Sequence, residues 1–537
     1  MTTPRKVWTS YKRADAALLE RPWDTIVVGS GVGGLATAAL LARHGGQRVL
    51  VLERHYTAGG FTHVFHRPGF EWDVGVHYVG GMARGGFLDR LFGQLTDGSL
   101  EWADMGDVYD RAIIGGEVFD FPRGRKALRD ALRARFPGEH AAIDAYFDAV
   151  RAVQRASPLF FAEKLAPRWL ASLLGGLMRR RLLGWSDRTT AEVLDGLTSN
   201  ALLKAVLTTQ LGDYGLPPKQ SSFAIHAMVA SHYFHGGYYP VGGSARIAES
   251  IEPVITAAGG AVWVAAEVER LEVEGGRVVG VRMAADGRVL RAARVVSDAG
   301  AALTLGHLVP EAHRPALGVQ ARLGAVRPSA AHLSLYLGLD RTAAALDLPK
   351  HNLWIYPSVD HDASLAERPY DPSTPLPVAY VSFPSAKDPD FERRHPGKAT
   401  IEVVTVAPWS WFERWQETDW HKRGPEYEAF KAQLTAQMLA VLDAHVPQAR
   451  AHIVHSELST PLSTRHFAGY THGEIYGVDH TPARFRQRWL KPATALPGLW
   501  LTGQDVATCG VAGALIGGVL CASGILKRNL LTGLRVR

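Results

Sequence analysis

The sequence has 537 residues, of which 47% are hydrophobic and 21% charged, and its formal net charge is +7 at pH 7. Its length exceeds the roughly 250 to 300 residues at which one hydrophobic core stops growing, so two or more packed regions are predicted. The composition excludes a disordered or collagen-like chain, and the scattered basic residues lack the stripe or motif that nucleic-acid binding needs. A membrane surface is the better match to the positive charge.

The first residues and the two cysteines bear on the cellular compartment. Residues 1–24 contain no apolar stretch of signal-peptide length, which favours a cytoplasmic protein. Cys509 and Cys521 fall in one predicted helix, where 12 residues separate them by about 18 Å. That distance is too long for a disulfide, and a reducing compartment is expected.

The first element in chain order is a buried strand that starts at Asp24 and leads into a glycine turn and an apolar helix. The turn contains Gly29, Gly31, Gly33 and Gly34. Glycine at these positions permits a tight turn and lets backbone N–H groups approach a pyrophosphate. The next strand ends in Glu53, 19 residues beyond Gly34, where a carboxylate would bind a ribose. Strand, turn, helix and acid together predict a dinucleotide site.

The residues that follow indicate FAD. Residues 53–60 run from Glu53 and Arg54 to Gly59 and Gly60, and they resemble the extended dinucleotide motif of FAD oxidoreductases. The glycine pair is expected against the pyrophosphate or the flavin. Residues 261–296 predict short alternating strands with a turn at 275–276. In such flavoproteins this segment brings a backbone contact near Val268 to the adenine.

A last buried strand is predicted over residues 498–505, followed by a helix. Asp505 is expected to bond a ribityl hydroxyl, and Gly503, Cys509, Gly510 and Val511 are assigned to the same cofactor site. The N-terminus of the helix would place its positive dipole beside the flavin pyrimidine. Its apolar part, residues 511–526, is shorter than the ~20 residues of a membrane span, so a buried helix is predicted.

Five passages resemble the retinol saturase family, the all-trans-retinol 13,14-reductases, within the phytoene desaturases and carotenoid isomerases. They are residues 53–63, 70–80, 222–228, 235–244 and 501–510. The resemblance implies FAD, a hydrophobic retinoid, carotenoid or other isoprenoid substrate, and an amine oxidase-like fold. The C-terminal passage is nearer to retinol saturases than to desaturases and favours reduction. The sequence departs from the animal proteins at Asp298, where they usually carry Asn.

The expected fold class is α/β with two domains. A discontinuous Rossmann-like FAD-binding domain is assigned to residues 20–90, 235–305 and 485–537. An α+β substrate-binding domain is assigned to residues 91–234 and 306–484. No second dinucleotide unit occurs, so the electron donor is left open between transiently bound NADPH and a redox protein.

Four residues are candidates for direct roles in catalysis. Saturation of an alkene needs a hydride from reduced flavin and a proton from an acid or water. His77 and Tyr78 fall in a segment that passes the flavin in this superfamily, and Glu474 and Tyr476 fall in one that presents a side chain to the isoalloxazine. Positioning or packing is the alternative for each. Packing is favoured over a lowered pKa for Cys509.

The sequence predicts no metal site, because the two close histidine pairs, at 63/66 and 232/235, lack a third ligand. Residues 157–185 are apolar with Trp and Arg, which is typical of an interfacial segment or of a helix in the substrate domain. Both interpretations hold if the helix borders a tunnel mouth. Three functions are carried forward: a polyene reductase, a carotenoid desaturase or isomerase, and a non-catalytic lipid carrier that retains FAD.

Overall fold

The structure is a computed structural model that describes residues 6–531, so residues 532–537 of the predicted FAD domain lie outside it. A parallel sheet joins distant parts of the chain. Four of its strands are completely buried, as expected for a sheet that is covered on both faces. Within residues 6–531 it has six strands, in the spatial order Thr9–Ser10, Ala261–Val264, Val49–Leu52, Thr25–Val28, Val295–Ser297 and Leu499–Leu501.

At two places strands pair across the intervals predicted for the domains. The edge strand Thr9–Ser10 of the parallel sheet, which precedes residue 20, pairs in parallel with Ala261–Val264. Trp102–Asp104, which the sequence assigned to the substrate domain, pairs with Gly237–Pro240. These strands have two and three residues, which is too short for an alternating pattern that would predict a strand from the sequence.

A second, mixed sheet forms the opposite wall of the molecule. One of its pairings, between Asn352–Tyr356 and Val108–Ile114, is parallel, and the others are antiparallel. In the described part of the chain it has seven strands, in the order Ile453–Ser459, His332–Leu339, Ala399–Val406, Ala379–Ser382, Asn352–Tyr356, Val108–Ile114 and Glu117–Pro122.

Three small sheets complete the strand structure of residues 6–531. One joins Val79–Gly80, Gly237–Pro240 and Trp102–Asp104, and another pairs Val64–Arg67 with Phe70–Asp73. The third is the meander predicted from the alternating pattern, with strands Val268–Glu274, Arg277–Met283 and Val289–Arg291. Its first turn contains the expected Gly275 and Gly276, both with positive φ.

Helices cover both sheets. The longer ones are Val32–Gly45, Phe87–Leu95, Arg125–Arg135, His140–Glu163, Arg168–Ser186, Phe223–Tyr233, Arg246–Thr256, Pro425–His445, Pro461–Ala468 and Gly510–Leu526. The shorter ones are Ala16–Glu20, Thr190–Asp195, Ala201–Leu207, Ala301–Leu303, Val319–Gly324, His361–Ser364, Pro384–Lys387, Phe391–Arg394 and Pro482–Arg486. Over residues 6–531, none of these helices combines the length and the apolarity that crossing a bilayer requires.

Candidate flavin and substrate site

A cavity of about 1000 Å³ lies where the parallel strands end and faces the mixed sheet. Residues that follow four different strands of the parallel sheet line it: Gly29, Glu53, Asp298 and Thr502. Ligands of open α/β sheets bind at this carboxyl edge. The volume is at the upper end of the range for ligand pockets, about 300 to 1,000 Å³, which suits a large ligand.

The glycine turn packs closely against neighbouring segments, and side chains at these positions would collide with protein atoms. Gly29 has a φ of +98°, a conformation that L-residues with side chains rarely adopt. A Cβ at Gly31 would lie 2.5 Å from Asp298 Oδ2, and one at Gly33 would collide with the backbone of Gly503. Gly503 therefore contributes to the site through close packing, since it does not itself line the cavity.

Glu53 is held rigidly at the cavity wall. Its Oε2 accepts hydrogen bonds from Ser30 N at 3.0 Å and Ser30 Oγ at 2.6 Å. Its Oε1 accepts from His55 N at 2.8 Å. The Ser30 hydroxyl in turn accepts from Gly59 N at 3.0 Å, which ties the second glycine loop to the first. This geometry suits a carboxylate that receives ribose hydroxyls.

The second glycine loop closes tightly on the turn. Gly60 has a φ of +55°, and a Cβ there would lie 2.9 Å from Gly31 Cα. Arg54 and Val268 line the same end of the cavity, where Arg54 Nη2 is 3.4 Å from Glu267 Oε1. The residues assigned to the adenine and pyrophosphate are thus brought together, and Gly34 packs behind them against Gly29 O.

Asp505 joins three separated segments at the other end of the cavity. Its Oδ2 accepts from Ala301 N at 2.6 Å, and its Oδ1 accepts from Val478 N at 2.9 Å. Gly510 and Val511, at the start of helix Gly510–Leu526, line the cavity beside it. The helix therefore presents the positive end of its dipole to whatever occupies this end.

Cys509 lies just behind the cavity wall. Its backbone N–H donates to His480 Nε2 at 3.0 Å, and its thiol donates to Asp213 O at 3.4 Å. Burial raises the pKa of the thiol to about 12, so the sulfur stays protonated at neutral pH. This is the environment of a packing cysteine and not of a reactive thiolate.

Asp298 is a site residue that the sequence analysis noted only as a departure from Asn. It follows strand Val295–Ser297, lines the cavity and lies against the glycine turn. Burial raises the pKa of its carboxyl to about 8, although N–H groups of Gly31 and Gly34 oppose the shift. A largely protonated Asp298 resembles Asn in charge. Its place at the end of a parallel strand is the signal that could have identified it.

Comparison with known proteins adds to this geometry. Residues 32–526 match the family described as flavin containing amine oxidoreductase. The chain is 37% identical over 530 residues to human all-trans-retinol 13,14-reductase, which covers 95% of this chain and 87% of that protein. The chain belongs to the retinol saturase family. The predicted resemblance is thereby confirmed, and this family member is an FAD-dependent oxidoreductase whose glycine cradle fits the cofactor.

More distant relatives of this retinol saturase family member agree with its fold. It is 25% identical over 537 residues to chloroplastic prolycopene isomerase from Daucus carota, covering 94% of this chain and 80% of that protein. Cyclohexylamine oxidase from Brevibacterium oxydans superposes with a TM-score of 0.61 at 18% identity, covering 94% of this chain and 97% of that one. The predicted α/β amine oxidase-like fold is confirmed.

His77 and Tyr476 line the cavity of this retinol saturase family member. His77 Nδ1 is 2.9 Å from Glu402 Oε2, and burial together with the charge of Lys387 lowers the pKa of the imidazole to about 3. The hydroxyl of Tyr476 donates to Gly212 O at 2.9 Å. The hydrogen bond fixes Tyr476 at the wall, and both side chains are neutral near pH 7.

Tyr78 and Glu474 do not line the cavity. The hydroxyl of Tyr78 lies behind the wall and donates to Asp110 Oδ2 at 2.9 Å. Glu474 is buried, and its Oε2 accepts from the N–H of His472 at 2.8 Å, so the carboxylate holds its own loop. The structure therefore separates the four candidates into two at the wall and two behind it.

A buried cluster of charged groups lies beneath His77. Lys387 Nζ donates to His77 O at 2.9 Å, to Ser382 Oγ at 2.7 Å and to Asn352 Oδ1. Burial raises the pKa of nearby Glu402 to about 8, and the positive charge of Lys387 opposes that shift. The cluster brings together four separate segments, around His77, Asn352, Lys387 and Glu402, and no local sequence pattern predicts that they meet.

One part of the remaining cavity lining is apolar and aromatic. These residues come mainly from the mixed sheet, and they are Phe65, Tyr336, Trp354, Tyr380, Val404 and Val406. A chamber of this kind suits a flat, unsaturated hydrocarbon. Residues 157–185 are absent from the cavity lining, so the segment does not border it as the tunnel-mouth interpretation required.

Proposed function

We propose that the protein uses FAD to reduce one carbon–carbon double bond of a hydrophobic polyene or other isoprenoid. The observation that carries the proposal is the continuity of the cavity, in which the glycine cradle and the aromatic chamber form one space. The human relative, by its name, reduces all-trans-retinol at carbons 13 and 14. A retinoid is therefore the first substrate class to test.

The residues of the chain divide the work of holding the cofactor. Glu53 would hold the adenosine ribose, the glycines at 31, 33 and 60 would admit the pyrophosphate, and Asp505 would hold the ribityl chain. When bound and reduced, FAD supplies the hydride. The helix that begins at Gly510 stabilises negative charge at its N-terminus. His77 and Tyr476 would orient the polyene, since both are neutral and line the cavity.

Two alternatives make different demands on the same cavity. A desaturase would use oxidised flavin and an electron acceptor, whereas an isomerase would leave the mass of the substrate unchanged. The similarity to prolycopene isomerase supports testing both activities. A non-catalytic carrier would bind the polyene without converting it. For the reductase, the electron donor is proposed to be NADPH that binds transiently or a redox protein.

We predict that dithionite-reduced holoprotein, mixed anaerobically with retinol and a panel of polyenes, is reoxidised and yields a product heavier by two hydrogens. The physical reason is that one continuous cavity would hold the apolar chain against the flavin. Flavin absorbance and product mass are measured together. Oxidised holoprotein is the control, and a product lighter by two hydrogens, or unchanged in mass, would favour the desaturase or isomerase. Binding without conversion in either redox state would favour the carrier.

We also propose that an anionic bilayer surface binds helix Arg168–Ser186. Trp169, Leu173 and Leu177 recur every four residues along one face and are 70%, 74% and 65% exposed. Arg180 and Arg181 follow one turn later and are exposed. Apolar residues flanked by arginine are typical of helices that lie in a membrane interface, where arginine contacts acidic headgroups.

The double substitution Leu173→Glu with Leu177→Glu is predicted to weaken binding to phosphatidylserine-containing vesicles at least about tenfold, because burying one Leu is worth roughly 1.5 to 3 kcal/mol. Co-sedimentation measures the bound fraction. A matched control is Val118→Glu with Val454→Glu, which adds the same charge at sites that are 52% and 56% exposed elsewhere. Equal losses in the two double variants would argue against this helix as the contact.

A further inference from the structure

Asp213 is a cavity residue to which neither the sequence pattern nor the family resemblance assigned a role. It ends the short turn Thr209–Asp213. Three contacts hold this turn: Tyr356 donates to Thr209 O at 2.5 Å, Tyr476 donates to Gly212 O at 2.9 Å, and the Cys509 thiol donates to Asp213 O at 3.4 Å. Asp213 is thereby fixed next to the residue that precedes Gly510, at the flavin end of the cavity.

The hydroxyl of Tyr78 lies between two carboxyl groups. It is 2.9 Å from Asp110 Oδ2 and 3.3 Å from Asp213 Oδ2. A phenol has one proton to donate, so it can satisfy only one of them. The second oxygen–oxygen contact needs a proton that belongs to one of the carboxyl groups.

The neighbours of Asp110 decide which carboxyl group carries that proton. Asp110 is fully buried and accepts two further hydrogen bonds, from Asn352 Nδ2 and Gln210 Nε2, both at 2.9 Å. Burial raises the pKa of Asp110, and its hydrogen bonds, followed by the charge of Lys387, oppose that shift. The two amide donors and the charge of Lys387 therefore favour ionisation of Asp110 over ionisation of Asp213. Tyr78 therefore donates to Asp110, and the proton of the longer contact resides on Asp213.

The surroundings of Asp213 also favour its neutral form. The groups that face it are the phenols of Tyr78 and Tyr233, the charge of Asp110 and, further away, the phenols of Tyr109, Tyr214, Tyr356, Tyr380 and Tyr476 and the thiol of Cys509. Burial, followed by repulsion from Asp110, raises the pKa of Asp213 well above the ordinary carboxyl range. The proton of the close contact is thus placed on the carboxyl group that borders the cavity.

We propose that Asp213 is the acid that protonates the substrate double bond, a step that rests on the reductive function proposed above. One alkene carbon takes the hydride that the reduced flavin supplies, and the π electrons form the second C–H bond with the proton of Asp213. Asp213 is left as a carboxylate, and water returns its proton. The Tyr78 hydroxyl, which is a positioning residue, is within reach to hydrogen-bond that carboxylate.

The substitution Asp213→Asn preserves shape and removes the proton. We expect the reoxidation of reduced flavin by an accepted polyene to slow at least about 100-fold, because general acids contribute about 10² to 10⁴-fold. Flavin content and the change that the polyene causes in the flavin spectrum should not alter. Asp130→Asn is the matched control, since Asp130 lies on the surface and pairs with Lys126.

The pH profile separates an acid from a packing residue. The protonated form is the active one, so the rate of the wild-type protein should be constant at low pH and fall as pH rises through the raised pKa of Asp213. Asp213→Asn should lack this fall. Tyr78→Phe removes the phenol that can turn its proton to Asp213 once Asp213 is ionised and that thereby lowers its pKa, so the fall should move to higher pH and the rate should drop about tenfold or less.

A readout that does not depend on activity is the infrared spectrum of the flavin-loaded protein. The carbonyl band of a protonated carboxyl group should be present at neutral pH, weaken in Asp213→Asn and be unchanged in Asp130→Asn. An unweakened band, or wild-type reoxidation rates in Asp213→Asn, would overturn the assignment of Asp213 alone. If no polyene reoxidises the wild-type flavin, the reductive function fails, and the role of Asp213 fails with it.

Discussion

Replacement of Gly31 by valine is expected to give a colourless protein whose affinity for FAD is at least about 100-fold lower, a loss of roughly 2.7 kcal/mol. The Cβ alone would lie 2.5 Å from Asp298 Oδ2, and the branched side chain would occupy the turn where the pyrophosphate approaches the backbone. Bound flavin is measured by absorbance after purification and by titration of the apoprotein with FAD.

A control separates loss of the cofactor from loss of the fold. Gly93→Ala places a methyl group where a Cβ meets no atom within 4 Å, and it should retain the yellow colour. Glu53→Gln tests the ribose contact without added bulk. FAD stabilises the folded state by mass action, so it should raise the melting temperature of Gly93→Ala but not that of Gly31→Val. Undiminished flavin in Gly31→Val would contradict the assignment of the turn.

Lys387→Met is expected to lower the free energy of unfolding by about 3 to 5 kcal/mol, the usual cost of removing one partner from a buried ionic group. The substitution leaves His77 O, Ser382 Oγ and Asn352 Oδ1 without their donor. It also removes an amine whose pKa burial lowers to about 7 and whose positive charge opposes the charges of Asp73, Asp110 and Glu402. Urea unfolding followed by tryptophan fluorescence measures the change.

The loss of unfolding free energy caused by Lys387→Met should depend on pH. Burial raises the pKa of Asp73 to about 6 and that of Glu402 to about 8, and loss of the lysine raises both further. A raised carboxyl pKa lowers stability as pH rises from the unfolded value to the folded value. The further rise in the variant therefore adds its cost above the wild-type pKa values, and the loss of stability should grow from about pH 6 to above pH 8. Lys126→Met, at a side chain that is 83% exposed, should change stability by about 0.5 kcal/mol or less. Equal effects of the two substitutions would show that the buried cluster does not stabilise the fold.

The cofactor cradle was readable from the sequence because its signals are local. A buried strand, a glycine turn and Glu53 lie within 30 residues, and each must keep its spacing for the turn to close. The last strand and helix were predicted for the same reason, and the helix starts at Gly510. The family resemblance supplied the substrate class, which no spacing could have revealed.

The buried polar residues around the proposed substrate end of the cavity could not be predicted from the sequence, because they lie far apart in the chain. Asp110, Asp213, Lys387 and Glu402 meet only after the mixed sheet forms, and each is an unremarkable polar residue in its own segment. Tyr78 and Glu474 were predicted as site residues, but neither lines the cavity. Both lie beside residues that line the cavity, yet a change of one or two positions turns a side chain to the other face of a strand or loop.

The parallel sheet recruits strands from residue 9 to residue 501, and helix Gly510–Leu526 then packs on helix Val32–Gly45. Thr37 Oγ1 and Thr502 Oγ1, 465 positions apart, are 2.8 Å from each other. Contacts of such long range form late in folding, because closing a loop of this length costs conformational entropy before the contact can stabilise the chain. During synthesis, the first glycine turn emerges from the ribosome long before strand Leu499–Leu501 and helix Gly510–Leu526. The complete FAD site therefore cannot form until these segments have emerged, and FAD cannot template the early steps of folding.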